Sequence, residues 1–186
     1  MRLVAETETN VGQEPCSPLR NRKATLLQDA LLKTDGTVTD LLELFTDEEI
    51  MVEKIVPGLY AAECERPLCG DDPGSVVRDV VLRGKVTGAR YIFAHTHLFP
   101  AALPPAVQTR LTTTSDPIGK VLREYRTESF RQIEQSASVP MPTIAQLLDQ
   151  ARTDQMRWRR YSVISGGAAI MEITEVFSEQ LFASAS

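Results

Sequence analysis

The sequence predicts an α+β fold, a single mainly antiparallel β-sheet with flanking helices. Two observations carry this. Segments with strand patterning come in consecutive pairs joined by short glycine-containing turns, as in 76–99 and 159–177. Helical patterning gathers near the N-terminus and between those pairs, rather than alternating with single strands.

The elements follow in order. Residues 1–22 are polar, rich in Thr, Glu and Pro, and aperiodic, so they read as a flexible arm preceding one domain over 23–186. Ala24 to Leu32 has helical spacing and stops before the turn signal Asp35-Gly36. Thr39 is positioned to cap a short helix from Asp40 to Phe45. Residues 50–62 read as a strand broken near Pro57-Gly58, and the Pro- and Gly-containing stretch from Glu63 to Gly74 as a loop. Val76 to Arg83, the turn 84–88 and Arg90 to Phe99 form a hairpin, ended by Pro100, Pro104 and Pro105. A short helix fits Ala106 to Leu111. Asp116 is placed as the N-cap of another, with Pro117 at its first position. Residues 125–136 fit strand or helix equally. Pro140 and Pro142 interrupt the chain before a helix from Ile144 to Ala151. Arg159 to Ile164, the turn Ser165-Gly166-Gly167-Ala168 and Ala169 to Phe177 make the last hairpin.

Two charged residues fall where the alternation expects apolar ones. Arg78 shares a strand face with Val76, Val80 and Leu82, and Glu175 shares one with Met171, Ile173 and Phe177. A charge on a core-facing side is costly unless paired or liganded. Arg78 is therefore the candidate anion-binding cation and Glu175 the candidate acid/base carboxylate. Structural ion pairs are the alternative for both, with Arg78 or Arg110 as the partner of Glu175.

Composition excludes several classes. At 42% hydrophobic and 24% charged residues, the chain can bury an ordinary core. A net charge of −5, without a basic helix, argues against a nucleic-acid partner. No apolar run is long enough to cross a bilayer, so no membrane role is expected, and Met1 to Pro18 lacks the apolar core of a secretory signal. The expected location is cytoplasmic. Cys16, Cys64 and Cys69 are read as free thiols. His95 and His97, at i and i+2, face away from Thr96 with Tyr91, Phe93 and Phe99. They are read as packing or surface histidines, because a third metal ligand is not evident. Asp47-Glu48-Glu49 is read as a solvated charge run. Gly166-Gly167 lacks the strand–glycine–helix context of a phosphate loop.

An ordered set of segments resembles the chorismate lyase (chorismate–pyruvate lyase) family and its wider relatives. It comprises residues 31–39, the Arg78 strand, Ala94-His95-Thr96-His97-Leu98-Phe99-Pro100, Asp116-Pro117-Ile118-Gly119, Arg159-Arg160-Tyr161 and Ile173-Thr174-Glu175-Val176-Phe177. The resemblance spans about 24–180. It implies a chorismate lyase-like sheet with a ligand enclosed beneath helix-containing flaps. It further implies elimination of pyruvate from chorismate to give 4-hydroxybenzoate, without metal or organic cofactor. By the resemblance, Arg78 holds the ring carboxylate, assisted by the backbone N–H groups of Val38 and Ile118. Glu175 lies near the hydroxyl that the product keeps.

The chain departs from the pattern at one position. Many bacterial chorismate lyases carry a second arginine on the strand matching Thr96, suited to the pyruvyl carboxylate. Thr96 alternates with Ile92, Ala94 and Leu98 and is expected to face the ligand, but it carries no charge. Either another cation serves (Arg110, Lys120 or Arg123) or the substrate has one carboxylate. Three activities therefore stand: the chorismate reaction, a different elimination, addition or cyclisation by the same fold, or a non-catalytic small-molecule-binding domain. Each takes a small carboxylate as its partner, and the sequence leaves the oligomeric state open.

Overall fold

A computed structural model describes residues 26, 29–64 and 74–183. The expected N-terminal arm, Cys16, Cys69 and most of the 63–74 loop lie outside these residues. Residues 29–33 are helical and bury Leu31. Helix α1 runs Val38–Thr46, then strands β1 Ile50–Ile55, β2 Val76–Gly84 and β3 Arg90–Leu98. A single 3-10 turn at Pro100–Ala102 leads to α2 Pro105–Thr113 and α3 Ile118–Glu124. Strand β4 Phe130–Pro140, helix α4 Pro142–Leu147, strands β5 Gln155–Ser165 and β6 Ala168–Phe177, and the short α5 Gln180–Ala183 complete the described chain.

The six strands form one sheet in the order β1-β2-β3-β6-β5-β4, every pair antiparallel. This is the expected α+β architecture. Two blocks of strands that are consecutive in sequence, β1–β3 and β4–β6, each built around one tight hairpin, meet at the β3–β6 pair. The turn between β5 and β6 places Gly166 at φ 58° and Gly167 at φ 81°. Two consecutive residues in the left-handed region are what a tight hairpin turn requires, and glycine adopts it without a Cβ penalty.

Hydrophobic patterning divides the core between the two faces. On one, Val107 and Leu111 of α2 and Val121 and Leu122 of α3 pack on Leu98, Met171, Ile173 and Val163. Beside them, Leu31 with Val38 and Leu42 of α1 packs on Leu82, Ile92 and Phe177. On the other face, Ile144, Ala145 and Leu148 cover Val81, Phe93, Trp158 and Val176. Free Cys64 joins this second layer. Burial pushes its thiol up to about 12, so it has little nucleophilic thiolate at neutral pH.

Several sequence expectations need correction. The strand expected over 50–62 ends at Ile55, and Pro57-Gly58 opens a series of turns instead. Thr39 lies inside α1, whose N-cap position is Thr37. Asp116 does not cap α3; Pro117 takes that position and Ile118 begins the helix. The segment left open between strand and helix is β4, which runs to Pro140, and α4 is shorter than 144–151. Glu48 is not merely solvated. Its carboxylate accepts from the Val86 and Thr87 N–H groups, the Thr87 hydroxyl and the Tyr91 hydroxyl. The Thr87 bonds above all hold it down to about 2.

The second face also buries a polar chain. Asp79 accepts from the Gly58 N–H at 2.7 Å and lies 2.5 Å from His95 Nδ1, while His95 Nε2 meets His97 Nε2 at 2.9 Å. His95 and Asp79 are nearly sequestered from solvent, at 4% and 1% exposure. His95 is thus a packing histidine with a satisfied ring. Among the described residues, no group of three His, Cys, Asp or Glu is placed to hold a metal ion. Asp79→Ala strands the buried His95 ring N–H and takes the acceptor from the Gly58 N–H in its exposed turn, and an unmet buried donor costs about 1–3 kcal/mol. We expect a loss of about 3 kcal/mol, seen in thermal melts as a fall of roughly 6–12 °C. An unchanged melting temperature would show that the chain contributes nothing to stability.

Candidate active site

The first face carries a cavity where the sheet meets the starts of α1 and α3. Arg78, Thr96, Ile173, Glu175, Tyr161 and Arg131 line its floor and wall. Antiparallel register explains why they converge. Arg78 pairs with Thr96, Thr96 with Ile173, Ile173 with Tyr161, and Tyr161 with Ile133, giving one row across five strands. The neighbouring row aligns Val80, Ala94, Glu175 and Arg159. The period-two assignment of Arg78, Thr96 and Glu175 to one face is what the structure has.

The roof is made of two helix starts. The backbone N–H groups of Val38 and Ile118, at the first positions of their helices, have no carbonyl one turn back to bond. Both residues line the cavity. The two starts touch because residue 119 is glycine: a Cβ there would lie 2.8 Å from Thr37 Cγ2 and 2.9 Å from Thr37 Oγ1. Any side chain at 119 would wedge α3 away from α1. Arg123 further ties the helices, donating to the Thr37 hydroxyl and the Asp40 carboxylate.

Arg78 is 7% exposed and donates through Nη2 to the Asp116 carbonyl at 2.8 Å. Its Nε is buried without an acceptor among the described residues. It forms no ion pair with any described carboxylate. Burial disfavours its charge and lowers its pKa, with Asp116 opposing. An arginine nonetheless remains cationic in such a setting.

Glu175 is not in the apolar setting its sequence neighbours imply. Arg159 Nε donates to its Oε2 at 2.7 Å, and the Tyr161 hydroxyl donates to its Oε1 at 2.9 Å. The ion-pair partner is thus Arg159, neither Arg78 nor Arg110. Arg159 is wholly buried. Burial works against its charge, but the Glu175 carboxylate and the Tyr161 hydroxyl together outweigh it and raise the pKa. Burial first, and then Glu175, pushes the Tyr161 hydroxyl far above its usual range, so it stays a donor. Arg159 also donates to the Thr34 carbonyl at 2.9 Å, tying the sheet to the loop that feeds α1.

None of the three cations expected to compensate for Thr96 lines this cavity. Arg110 is engaged by Asp116 at 2.5 Å and Glu124 at 3.6 Å. Arg123 is taken by Asp40 and is largely exposed. Lys120 lines an adjoining outer depression with Glu49 and Asp40. Besides Arg78, the cation among the described residues that lines the cavity is Arg131 of β4. Sequence reasoning missed it because its segment had no assigned structure. Arg159 and Tyr161 were legible as an inward i, i+2 pair once their strand was assigned, yet only the resemblance drew attention to them.

Comparison with known proteins adds the following. The family model described as Chorismate pyruvate-lyase Rv2949c-like matches residues 32–184. A chorismate pyruvate-lyase of Mycobacterium leprae is 31% identical over 157 residues, 82% of this chain and 74% of that protein. One of Mycobacterium tuberculosis is 30% identical over 159 residues, 82% of this chain and 79% of that protein. Among solved structures, the effector domain of PhnF from Mycobacterium smegmatis aligns with a TM-score of 0.55 at 16% identity. That alignment spans 80% of this chain and 92% of that domain, and at such identity it speaks to the fold alone.

Proposed function

The chain belongs to the Rv2949c-like chorismate pyruvate-lyase family, and on that footing we propose that it eliminates pyruvate from chorismate to release 4-hydroxybenzoate. The proton on the hydroxyl-bearing ring carbon leaves as the adjacent ether C–O bond breaks. The ring becomes aromatic, and the departing enolpyruvate takes up a proton to become pyruvate. Atoms and charge balance without oxidant, reductant or co-reactant. Aromatisation drives the step, so the protein's task is to orient the ring, exclude water and assist one proton, which by positioning alone can supply several kcal/mol.

The observation that carries this reading is the Arg78 guanidinium. It is a buried cation in a cavity wall with an unmet Nε and no carboxylate partner among the described residues. A planar ligand carboxylate supplies the missing acceptor, and a guanidinium meets it bidentately. Val38 and Ile118 line the same cavity, and their N–H groups, free at the helix starts, complete the carboxylate's hydrogen bonds. Glu175, with one oxygen held by Arg159 and the other by Tyr161, retains lone pairs toward the cavity. It accepts the ring hydroxyl there and stands within reach of the neighbouring proton. Thr96, uncharged and 1% exposed, shapes the floor between them.

The test is incubation of purified protein with chorismate, following pyruvate and hydroxybenzoate together. Equimolar release of pyruvate and 4-hydroxybenzoate is expected. A hydroxybenzoate isomer would move the reaction to a relative of the same chemistry. Binding of 4-hydroxybenzoate without turnover would make the chain a sensor or carrier.

A further inference from the structure

Chorismate carries two carboxylates, and a site that reads both needs two cations. We propose that Arg131 of β4 binds the enolpyruvyl carboxylate and so supplies the charge absent at Thr96. This deepens the chorismate reading and rests on it.

Three observations converge on Arg131. It lines the same cavity as Arg78 and Glu175. Its described hydrogen bond is to a neutral group, the Asp35 carbonyl, and its Nε is buried with no acceptor among the described residues. Like Arg78, it forms no ion pair with a described carboxylate. The cavity is therefore lined by two cations without a described carboxylate partner, Arg78 and Arg131, and by Glu175, whose charge is balanced by the buried Arg159 behind it. That charge suits a dianion.

Position supports the same assignment. Arg78 is on β2 and Arg131 on β4, four strand spacings apart, or roughly 19 Å between backbones at about 4.8 Å per strand. Two extended arginine side chains with a ring and its side arm between them bridge that span. In strand order Arg131 lies beyond Glu175 from Thr96, in the row of Val163 and Met171, with its guanidinium carbon 5.8 Å from the Tyr161 ring centre. Tyr161 is the residue that holds Glu175 at the hydroxyl end. The enolpyruvyl group sits on the ring carbon beside the hydroxyl, so its carboxylate is the one within reach of this end. The Arg78 end is left to the ring carboxylate.

A pair of stable probes separates the two carboxylate sites. 4-Hydroxybenzoate has the ring carboxylate alone, and 3-(carboxymethoxy)-4-hydroxybenzoate adds an acid on an ether arm at the carbon beside the hydroxyl. The wild type is expected to bind the dicarboxylate more tightly. In Arg131→Met, the dicarboxylate Kd should rise about 30- to 100-fold, with 4-hydroxybenzoate within threefold, and KM for chorismate should rise more than kcat falls. Arg131→Lys, which keeps the charge without the fork, should lose about tenfold on the dicarboxylate alone. It also serves as the readout if the methionine variant does not fold. Arg131 braces the Asp35 loop that leads to Val38. Were its role only structural, both probes would weaken together, and that result overturns the proposal. Unchanged affinity for both also overturns it. A wild type that neither turns over chorismate nor binds either probe refutes the chorismate reading itself, and the role of Arg131 falls with it.

Discussion

Arg78→Met is expected to raise the Kd for 4-hydroxybenzoate by at least a hundredfold, on the order of 3 kcal/mol. Truncating one partner of a buried, charge-assisted carboxylate contact costs about 2–5 kcal/mol, because the ligand charge is then buried unpaired. Methionine fills the volume of the aliphatic stem without offering a donor. The free protein should not suffer equally. Arg78 now holds a desolvated charge whose described bond is to the neutral Asp116 carbonyl. Removing such a charge is neutral to stabilising, so the melting temperature should hold or rise while binding collapses. Titration calorimetry and a thermal melt on the same sample check both halves. Retained affinity would end the anchor assignment.

Glu175→Gln is expected to lower kcat by about 10²- to 10⁴-fold, the usual contribution of a positioned proton-transfer group. Affinity for 4-hydroxybenzoate should change by less than tenfold, since the amide oxygen still accepts and the ring carboxylate is bound elsewhere. Stability moves in the direction opposite to the Arg78 variant. Glu175 is the counter-charge of Arg159, which has no solvent exposure, and its loss leaves that guanidinium buried and uncompensated. Breaking such a pair costs about 3–5 kcal/mol. The assay is therefore run well below the variant's melting temperature, with binding as the control for folding. Full turnover by Glu175→Gln would remove it from the chemistry.

The two residues with the largest expected effects were legible because a charge in an apolar period-two run is a local signal. Thr96, Val38 and Ile118 also fall where the segment order places them. The helix starts were each misjudged by a residue or two. Thr39 and Asp116 are good capping residues, but the contact across Gly119 sets where α1 and α3 begin. Asp116 spends its side chain on Arg110 and Thr114 and its carbonyl on Arg78. Arg131 had no such signal. Strand β4 is an edge strand, exposed over most of its length, and its polar residues fall on both faces. A strand without an apolar side has no alternation to read. The partnership of Glu175 with Arg159 was hidden for another reason. Arg159 and Arg160 are adjacent, and only the strand's register shows which one shares the face of Glu175. Arg160 faces away, toward Thr174.

The β3–β6 pairing has a further consequence, for folding. Arg78, Thr96 and Val38 belong to the first block of strands and its leading helix, and Glu175, Arg159, Tyr161 and Arg131 to the second. Each block can close through pairing of strands consecutive in sequence. The seam between them joins segments far apart in the chain, and such contacts carry the largest loop-closure cost and come late. A chain halted before that step would own every charged group of the pocket and recognise nothing. On the proposed binding mode, the same split means that a bound dianion would clasp the two halves together. Ligand then acts as a brace across the seam, and its concentration sets how firmly the molecule resists coming apart there.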